Sequence, residues 1–247
     1  MEDTMKKSLS LLAVLAVVGF ASTPVQAADH YVSGMAGISW MQDSSIDLPL
    51  NLNEVFGVGI DLGYSSGFTA VGAVGCDYGS TRLEAEVGYQ TNDIDSITGS
   101  FDGDSASLAL SGNAKVLSLM ANGFYDFDLG GVELYAMAGI GVAQVSINDL
   151  TLADTNDLGI SADDIDDANE YLSRRLGAPV DLNALGLNVN ETTLAYQVGA
   201  GLAVPIGDGI MLDARYRYFA TTDFTMPLDL NTNISSHSAL LGLRVNL

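Results

Sequence analysis

Seven charged residues lie inside runs of alternating apolar and polar residues, and their types could form ion pairs. They are Arg82, Glu84, Glu86, Asp213, Arg215, Arg217 and Arg244. If the runs are β-strands, residues two apart share a face, so all seven side chains would point away from the apolar row. Four guanidinium groups facing three carboxylates would form a buried network, in which removing one partner costs about 3–5 kcal/mol. The network would either fill an interior or, if the pairs exchange partners, gate a small pore.

The histidines are the other candidates, because a hydrolase or acyltransferase site needs a histidine beside Asp, Glu or Ser. The chain has two histidines, His30 and His237, far apart in the sequence. His237 is flanked by Ser236 and Ser238, but successive residues of a strand point to opposite faces. We therefore predict that the chain is not an enzyme. A lipid-modifying site at His237 stays open as an alternative.

Motifs for cofactors and metals are missing from the sequence. It has no glycine-rich nucleotide loop and no zinc-binding spacing, and its Asp-rich stretches 93–104 and 163–167 lack the spacing of an EF-hand. The single cysteine, Cys76, excludes an intramolecular disulfide. A net charge of −22 argues against nucleic acid as a partner. We predict no cofactor, no metal ion and no nucleic acid, and leave open whether the acidic loops bind divalent cations.

The elements that must position the charged residues are eight predicted strands, each with an apolar row on one face. They span 30–40, 68–78, 81–90, 115–127, 132–145, 193–206, 210–220 and 236–247. Each is long enough to cross a bilayer, which takes 9–11 strand residues. Residues 55–64 also alternate, and we interpret them as an extension above the membrane. The alternative is that they form further strands and make a ten-stranded barrel.

The connections alternate between short and long, which is typical of outer-membrane barrels with both termini in the periplasm. The sequence thus predicts an all-β fold, an eight-stranded antiparallel transmembrane β-barrel with short periplasmic turns and long extracellular loops. The loops are 41–53, 91–113, 146–191 and 221–235. The longest, 146–191, is acidic and contains a possible short helix over 162–176. Because long loops are usually functional or disordered, we expect an extracellular ligand to bind there.

The first 27 residues have the features of a secretory signal peptide. Lys6 and Lys7 precede an apolar run from 9 to 21, and Val25-Gln26-Ala27 is a small-residue cleavage site. Cleavage near Ala27 would leave a barrel domain of residues 28–247. The whole chain combines 27 glycines, 48% hydrophobic residues and a mean hydropathy of +0.26 with strong acidity. An exported chain with this composition is expected in an outer membrane.

Five segments carry a resemblance to a known family. They are TRLEAEVGYQ (81–90), ANGFYDF (121–127), LAYQVGAGL (194–202), DARYRYF (213–219) and SHSALLGLRVNL (236–247). In this order they resemble the outer-membrane β-barrel domain family, which includes OmpA-type transmembrane domains and porin-like surface antigens. The resemblance implies a monomer in the outer membrane of a Gram-negative bacterium, in contact with lipids and lipopolysaccharide. It implies a structural or adhesive role, with a small diffusion pore as the alternative.

The resemblance also implies that the last strand is recognised by the barrel-assembly machinery. The outward row of that strand includes Leu243, Val245 and Leu247. The family usually ends on an aromatic residue, and this chain ends on Leu247 instead. We therefore expect assembly to be less efficient than for a chain with an aromatic terminus.

Overall fold

Alternation of apolar and polar residues produces a molecule made almost entirely of strands. The computed structural model describes residues 29–45, 58–101, 104–152, 170, 174, 189–226 and 230–247. The predicted signal peptide lies outside these residues. No helix in the described part of the chain is long and apolar enough to cross a membrane.

The strands, in chain order, are β1 (Asp29–Met41), β2 (Ser44–Ser45), β3 (Val58–Tyr64), β4 (Gly67–Asp77), β5 (Thr81–Phe101), β6 (Asp104–Asp128), β7 (Glu133–Leu152), β8 (Val189–Gly207), β9 (Ile210–Thr221), β10 (Phe224–Met226), β11 (Leu230–Thr232) and β12 (Ser235–Asn246). Eight of them form an antiparallel wall in the order β4, β1, β12, β9, β8, β7, β6, β5, and β4 pairs with β5 to close the ring. The predicted eight-stranded barrel is confirmed.

Three short turns join wall strands at one end of the barrel, which we call the turn end. The opposite end, with the longer connections, is the loop end. Glycine is required at the turns because Gly79 and Gly130 adopt positive φ values of 95° and 78°. The carboxylates of Asp77 and Asp128 accept hydrogen bonds from the backbone N–H groups of these glycines, at 2.7 and 2.8 Å. These turns fix where the wall strands reverse.

The two faces of the wall differ as the period-two pattern predicts. In β12, Leu240 is 3% exposed and points inward, whereas Leu241 is 58% exposed and points outward. Exposed aromatic side chains lie near both ends of the wall, as expected for the interfaces of a membrane. Towards the loop end they include Trp40, Phe68, Tyr89 and Tyr196, and towards the turn end Tyr78, Tyr125 and Phe127.

The wall strands next to the long connections run farther than predicted. The stretch 91–113 is mostly not a loop, because β5 and β6 continue as a paired hairpin up to Phe101 and Asp104. Likewise β7 continues to Leu152 and β8 begins at Val189, inside the predicted loop 146–191. Beyond a membrane the outward face of a strand meets water and not lipid, so the ladder continues there without the apolar outward row that signals a spanning strand.

Within the predicted extension 55–64, the described residues 58–64 form β3, which is not a wall strand. β3 pairs with the loop-end half of β5, from Val58 opposite Phe101 to Tyr64 opposite Ile94, and β2 pairs briefly with β3. The ten-stranded alternative is therefore wrong, and the interpretation of an extension above the membrane holds. We call β3 and the loop-end halves of β5, β6 and β7 the extension.

The remaining loop predictions are described only in part. The fourth loop contains the hairpin of β10 and β11. The possible helix 162–176 lies outside the described residues except for Glu170 and Arg174, which are helical and form an ion pair one turn apart.

Candidate functional site

The barrel interior contains two layers of buried side chains, and it is the candidate functional site. The layer nearer the turn end, the ionic layer, consists of Arg82, Glu84, Glu86, Asp126, Glu133, Asp213, Arg215, Arg217 and Arg244. The layer nearer the loop end, the apolar layer, consists of Met41, Leu62, Ile94, Ala114, Val116, Met120, Ala143, Val145, Ile147, Ala195, Phe219, Phe224 and Ile234.

Glu86 is the centre of the ionic layer and is 0% exposed. Its carboxylate accepts hydrogen bonds from Arg215 Nη1 at 3.0 Å and Arg217 Nη1 at 3.3 Å. The side-chain amides of Asn122 and Gln197 also donate to it, both at 3.2 Å. Two strands on one side, β5 and β6, and two on the other, β8 and β9, are thereby tied across the lumen. A buried carboxylate with this many donors is fully satisfied.

Glu84 lies one inward position from Glu86 and is also buried. It accepts a hydrogen bond from the Tyr31 hydroxyl at 3.1 Å, and its nearer oxygen is 3.9 Å from Arg215 Nη2. Asp213 does not contact an arginine directly. Its Oδ1 accepts from the Tyr135 hydroxyl at 2.5 Å, and Arg215 Nε donates to that hydroxyl at 3.3 Å.

The side of the ionic layer nearest the turn end contains a second set of ion pairs. Arg82 donates from Nε and Nη2 to the two carboxylate oxygens of Asp126, at 2.7 and 2.8 Å. Arg244 Nη2 lies 2.6 Å from Glu133 Oε1, and Arg82 Nη2 lies 3.5 Å from the same oxygen. The Arg82 guanidinium also lies 4.4 Å from the ring centroid of Phe124, close enough for a cation–π interaction.

The structure therefore brings the seven predicted charged residues into one interior, but not with the predicted set of partners. Asp126 and Glu133 were missed as ion-pair partners, although both belong to inward rows of predicted strands. The partner of each arginine depends on how adjacent strands are staggered, which the sequence does not state. A cavity of about 560 Å³ lies at the turn end, next to these ion pairs, and is lined partly by Asp126 and Glu133.

The apolar layer was not predicted and changes the picture of the lumen as a polar interior. Nine elements or their flanks contribute to it, from Met41 of β1 to Ile234 beside β12, and these include every wall strand except β4. Its signal is the segment 114–121, where both rows are largely apolar, a pattern typical of strands buried on both faces, and the inward row Ala143, Val145 and Ile147. Buried polar side chains lie beside it, where Ser39 and Gln90 donate hydrogen bonds to Asn92, and Ser236 donates one to Gln90. The apolar layer and these paired polar groups together fill the outer half of the lumen.

His237 lies on the outer wall and not in the lumen. Its Nδ1 is 2.7 Å from the Tyr216 hydroxyl, and its ring packs against the rings of Tyr216 and Tyr218. Asp223, near the loop end of β9, accepts a hydrogen bond from Asn233 Nδ2 at 2.9 Å. Within the described ranges, no group of three or more His, Cys, Asp or Glu side chains is placed to hold a metal ion.

Comparisons with known proteins show which family and which solved structures this chain resembles. The family model for the outer membrane protein beta-barrel domain matches residues 13–246. Outer membrane protein PagN of Salmonella typhimurium is 23% identical over 97% of this chain and 98% of its own length. The crystal structure of Neisserial surface protein A aligns with 90% of this chain and 100% of its own chain, with a TM-score of 0.48 and 16% sequence identity. The crystal structure of the outer membrane protease OmpT of Escherichia coli aligns with 92% of this chain and 100% of its own chain, with a TM-score of 0.47 and 9% sequence identity.

Proposed function

Since the chain belongs to the outer membrane protein beta-barrel domain family, we propose that it is a sealed barrel that holds an extracellular surface for contact with other molecules or cells. It lies in the outer membrane of a Gram-negative bacterium, with lipid against its outer wall. The short turns then face the periplasm and the extension faces the cell exterior.

The observation that carries the proposal is the apolar layer. An eight-stranded barrel is just wide enough for side chains to fill its interior. Here the outer half is filled by the apolar layer and by the hydrogen-bonded side chains of Gln90 and Asn92, and the inner half by the ionic layer. The apolar layer includes Leu62 of β3 and Phe224 of β10, which lie outside the wall. The same core thus seals the lumen and supports the extracellular elements, which favours a rigid platform over a small diffusion pore.

The extension is the part of the platform that a partner would meet. β6 has 25 residues and β5 has 21, against 12 in each of β9 and β12. Since about 10 residues span the bilayer, about 15 residues of β6 remain, which is roughly 50 Å of strand length. Asp93 and Asp95 are exposed on β5, so the described surface there is acidic. We propose that the extension and the connection 153–188 bind the extracellular ligand.

We also propose that the protein has no catalytic activity. His237 contacts tyrosines and no carboxylate or serine in the described part of the chain, so the geometry supports neither a hydrolase nor a lipid-modifying site. We further propose a monomer without cofactor or metal, whose last strand is presented to the barrel-assembly machinery. On that strand Leu243 and Leu247 are exposed on the outer face.

Adherence of bacteria that display the protein tests this function. One variant replaces 153–188 by a short Gly/Ser linker, and a second trims the β5–β6 hairpin symmetrically at 98–107, which keeps the register because Thr98 pairs with Ser107. Asp208→Asn, in a periplasmic turn, is the control. We expect at least one loop-end variant to lose adherence to a cultured epithelial layer while the control keeps it. If both variants fold and adhere like the parent protein, the proposal is wrong.

A further inference from the structure

The cavity at the turn end has both acidic and apolar walls. Its volume of about 560 Å³ is in the range of sites that bind small molecules. The three short turns or their flanks supply its lining, which consists of Gly79, Ser80, Asp126, Asp128, Gly131, Val132, Glu133, Pro205 and Met211. Three of these side chains are carboxylates, and three are apolar. A ligand that fits this lining carries positive charge beside an apolar portion.

The carboxylates of the cavity outnumber the cations beside them. Asp126 and Glu133 are paired with buried arginines of the ionic layer. Asp128, which is exposed, has no ion-pair partner among the described residues. Three carboxylates therefore face two guanidinium groups, and one negative charge is uncompensated. In the described part of the chain, no lysine and no exposed arginine lies at the turn end, so this charge is available to a ligand.

Asp128 and Glu133 face each other across the hairpin of β6 and β7. They are direct partners in register, and both line the cavity. Like charges directly opposite each other on paired strands are destabilising. The arginines contact Glu133 at Oε1, and the Gly130 N–H donates to Asp128 at Oδ1, so Glu133 Oε2 and Asp128 Oδ2 have no donor among the described residues. A cation between these two oxygens would relieve the repulsion.

The lining favours an organic ammonium group over a metal ion. Within the described ranges, no three acidic, histidine or cysteine side chains are placed to hold a metal ion. An ammonium group has three N–H donors that bond separate carboxylates, and its methylene chain packs on apolar side chains such as Val132 and Met211. We propose that the cavity binds a primary alkylammonium group, carried by a free polyamine or by a lysine side chain of a periplasmic polypeptide. The proposed orientation of the barrel decides only the compartment that supplies it.

Isothermal titration calorimetry of the folded full chain in neutral detergent micelles tests the site. The probes are 1,4-diaminobutane, butylamine and 1-butanol, which carry two, one and no ammonium groups on the same carbon chain. We expect saturable binding of both amines in the millimolar range and none of the alcohol. Because the cavity is open to solvent on one side, added salt should weaken the binding of the amines.

Three variants locate the binding. Asp128→Asn removes the charge but keeps the oxygen that accepts from the Gly130 N–H, so the turn is preserved. It should bind both amines about tenfold more weakly, because a hydrogen bond between charged groups contributes about that factor or more to affinity. Asp208→Asn is the matched control, since Asp208 is exposed on another short turn and does not line the cavity, and its affinity should be unchanged. Met211→Trp keeps every carboxylate but fills part of the cavity, so it should also weaken binding.

The proposal is overturned if the parent protein shows no saturable binding of the amines, or if Asp128→Asn or Met211→Trp binds them as tightly as the parent. An equal loss in Asp208→Asn would also overturn it, because the amines would then follow the overall negative charge. An N-acetylated, C-amidated Gly-Lys-Gly peptide identifies the source of the ammonium group. Tighter binding of the peptide than of the diamine supports a polypeptide ligand, and weaker binding supports a free polyamine. Gel mobility with and without boiling confirms that each variant is folded. The adherence assay concerns the opposite end of the barrel, so failure of this site and failure of the proposed extracellular function are separate results.

Discussion

Replacing Glu86 by glutamine should lower the free energy of unfolding of the barrel by about 3–5 kcal/mol. The parent carboxylate lies 3.0 Å from Arg215 Nη1 and 3.3 Å from Arg217 Nη1. In the variant, the two guanidinium groups share one nearby carboxylate, that of Glu84, which is 3.9 Å from Arg215. One buried positive charge is then uncompensated. In addition, the amide N–H₂ of the glutamine replaces a carboxylate oxygen that accepts hydrogen bonds in the parent protein, so two donors face each other.

Urea unfolding of the protein from lipid vesicles measures this effect. Trp40 is the single tryptophan and lies on the outer wall, so its fluorescence reports loss of the lipid contact. Glu191→Gln makes the same chemical change at an exposed position and should cost less than about 0.5 kcal/mol. The double variant Glu86→Leu/Arg217→Met should recover much of the stability, because apolar pairs often replace buried ion pairs without loss. A loss below about 1 kcal/mol for Glu86→Gln, or one equal to that of Glu191→Gln, would refute the reasoning.

Three further changes test other parts of the structure. A Cβ atom added at Gly141 would lie 2.0 Å from the Leu119 carbonyl oxygen, whereas one added at Gly123 would have no atom within 4 Å. Gly141→Ala should therefore reduce the folded fraction on heat-modified gels, and Gly123→Ala should leave it unchanged. Ile147→Asn buries an unpaired amide in the apolar layer and should cost about 3 kcal/mol in urea unfolding, against about 1 kcal/mol for Ile147→Val. Leu247→Phe supplies a terminal aromatic residue and should raise the assembled fraction in cells; an unchanged fraction would show that the terminus does not limit assembly.

The wall could be predicted from the sequence because lipid outside and packed side chains inside impose a period of two. Strand 210–220 shows this well, since Tyr216 and Arg217 were assigned to the outer and inner faces that the structure gives them. Beyond the membrane this constraint ends. The ladder of β5 continues through Asp93 and Asp95, whose outward side chains meet water and not lipid, so the outward row resembles a loop although Ile94 between them is buried.

The interior was predictable by residue type and not by pairing. Inward charges follow from alternation alone, but the choice of Asp126 for Arg82 and of Glu133 for Arg244 depends on the stagger of the strands. Asp213 shows the limit most clearly, since it reaches Arg215 only through the Tyr135 hydroxyl. The apolar layer escaped prediction because alternation does not show which inward residues pack together, and Ile147 lies in the stretch 146–191 that was predicted as a loop.

Single-channel conductance in a planar bilayer tests the sealed barrel most directly. The protein should first be shown to be folded by its gel mobility with and without boiling. With the apolar layer and the paired polar groups beside it filling the outer half, and Glu86, Arg215 and Arg217 joined across the inner half, we predict no discrete openings. Steady openings of uniform size would contradict the account, and would mean that the ionic layer gates a pore.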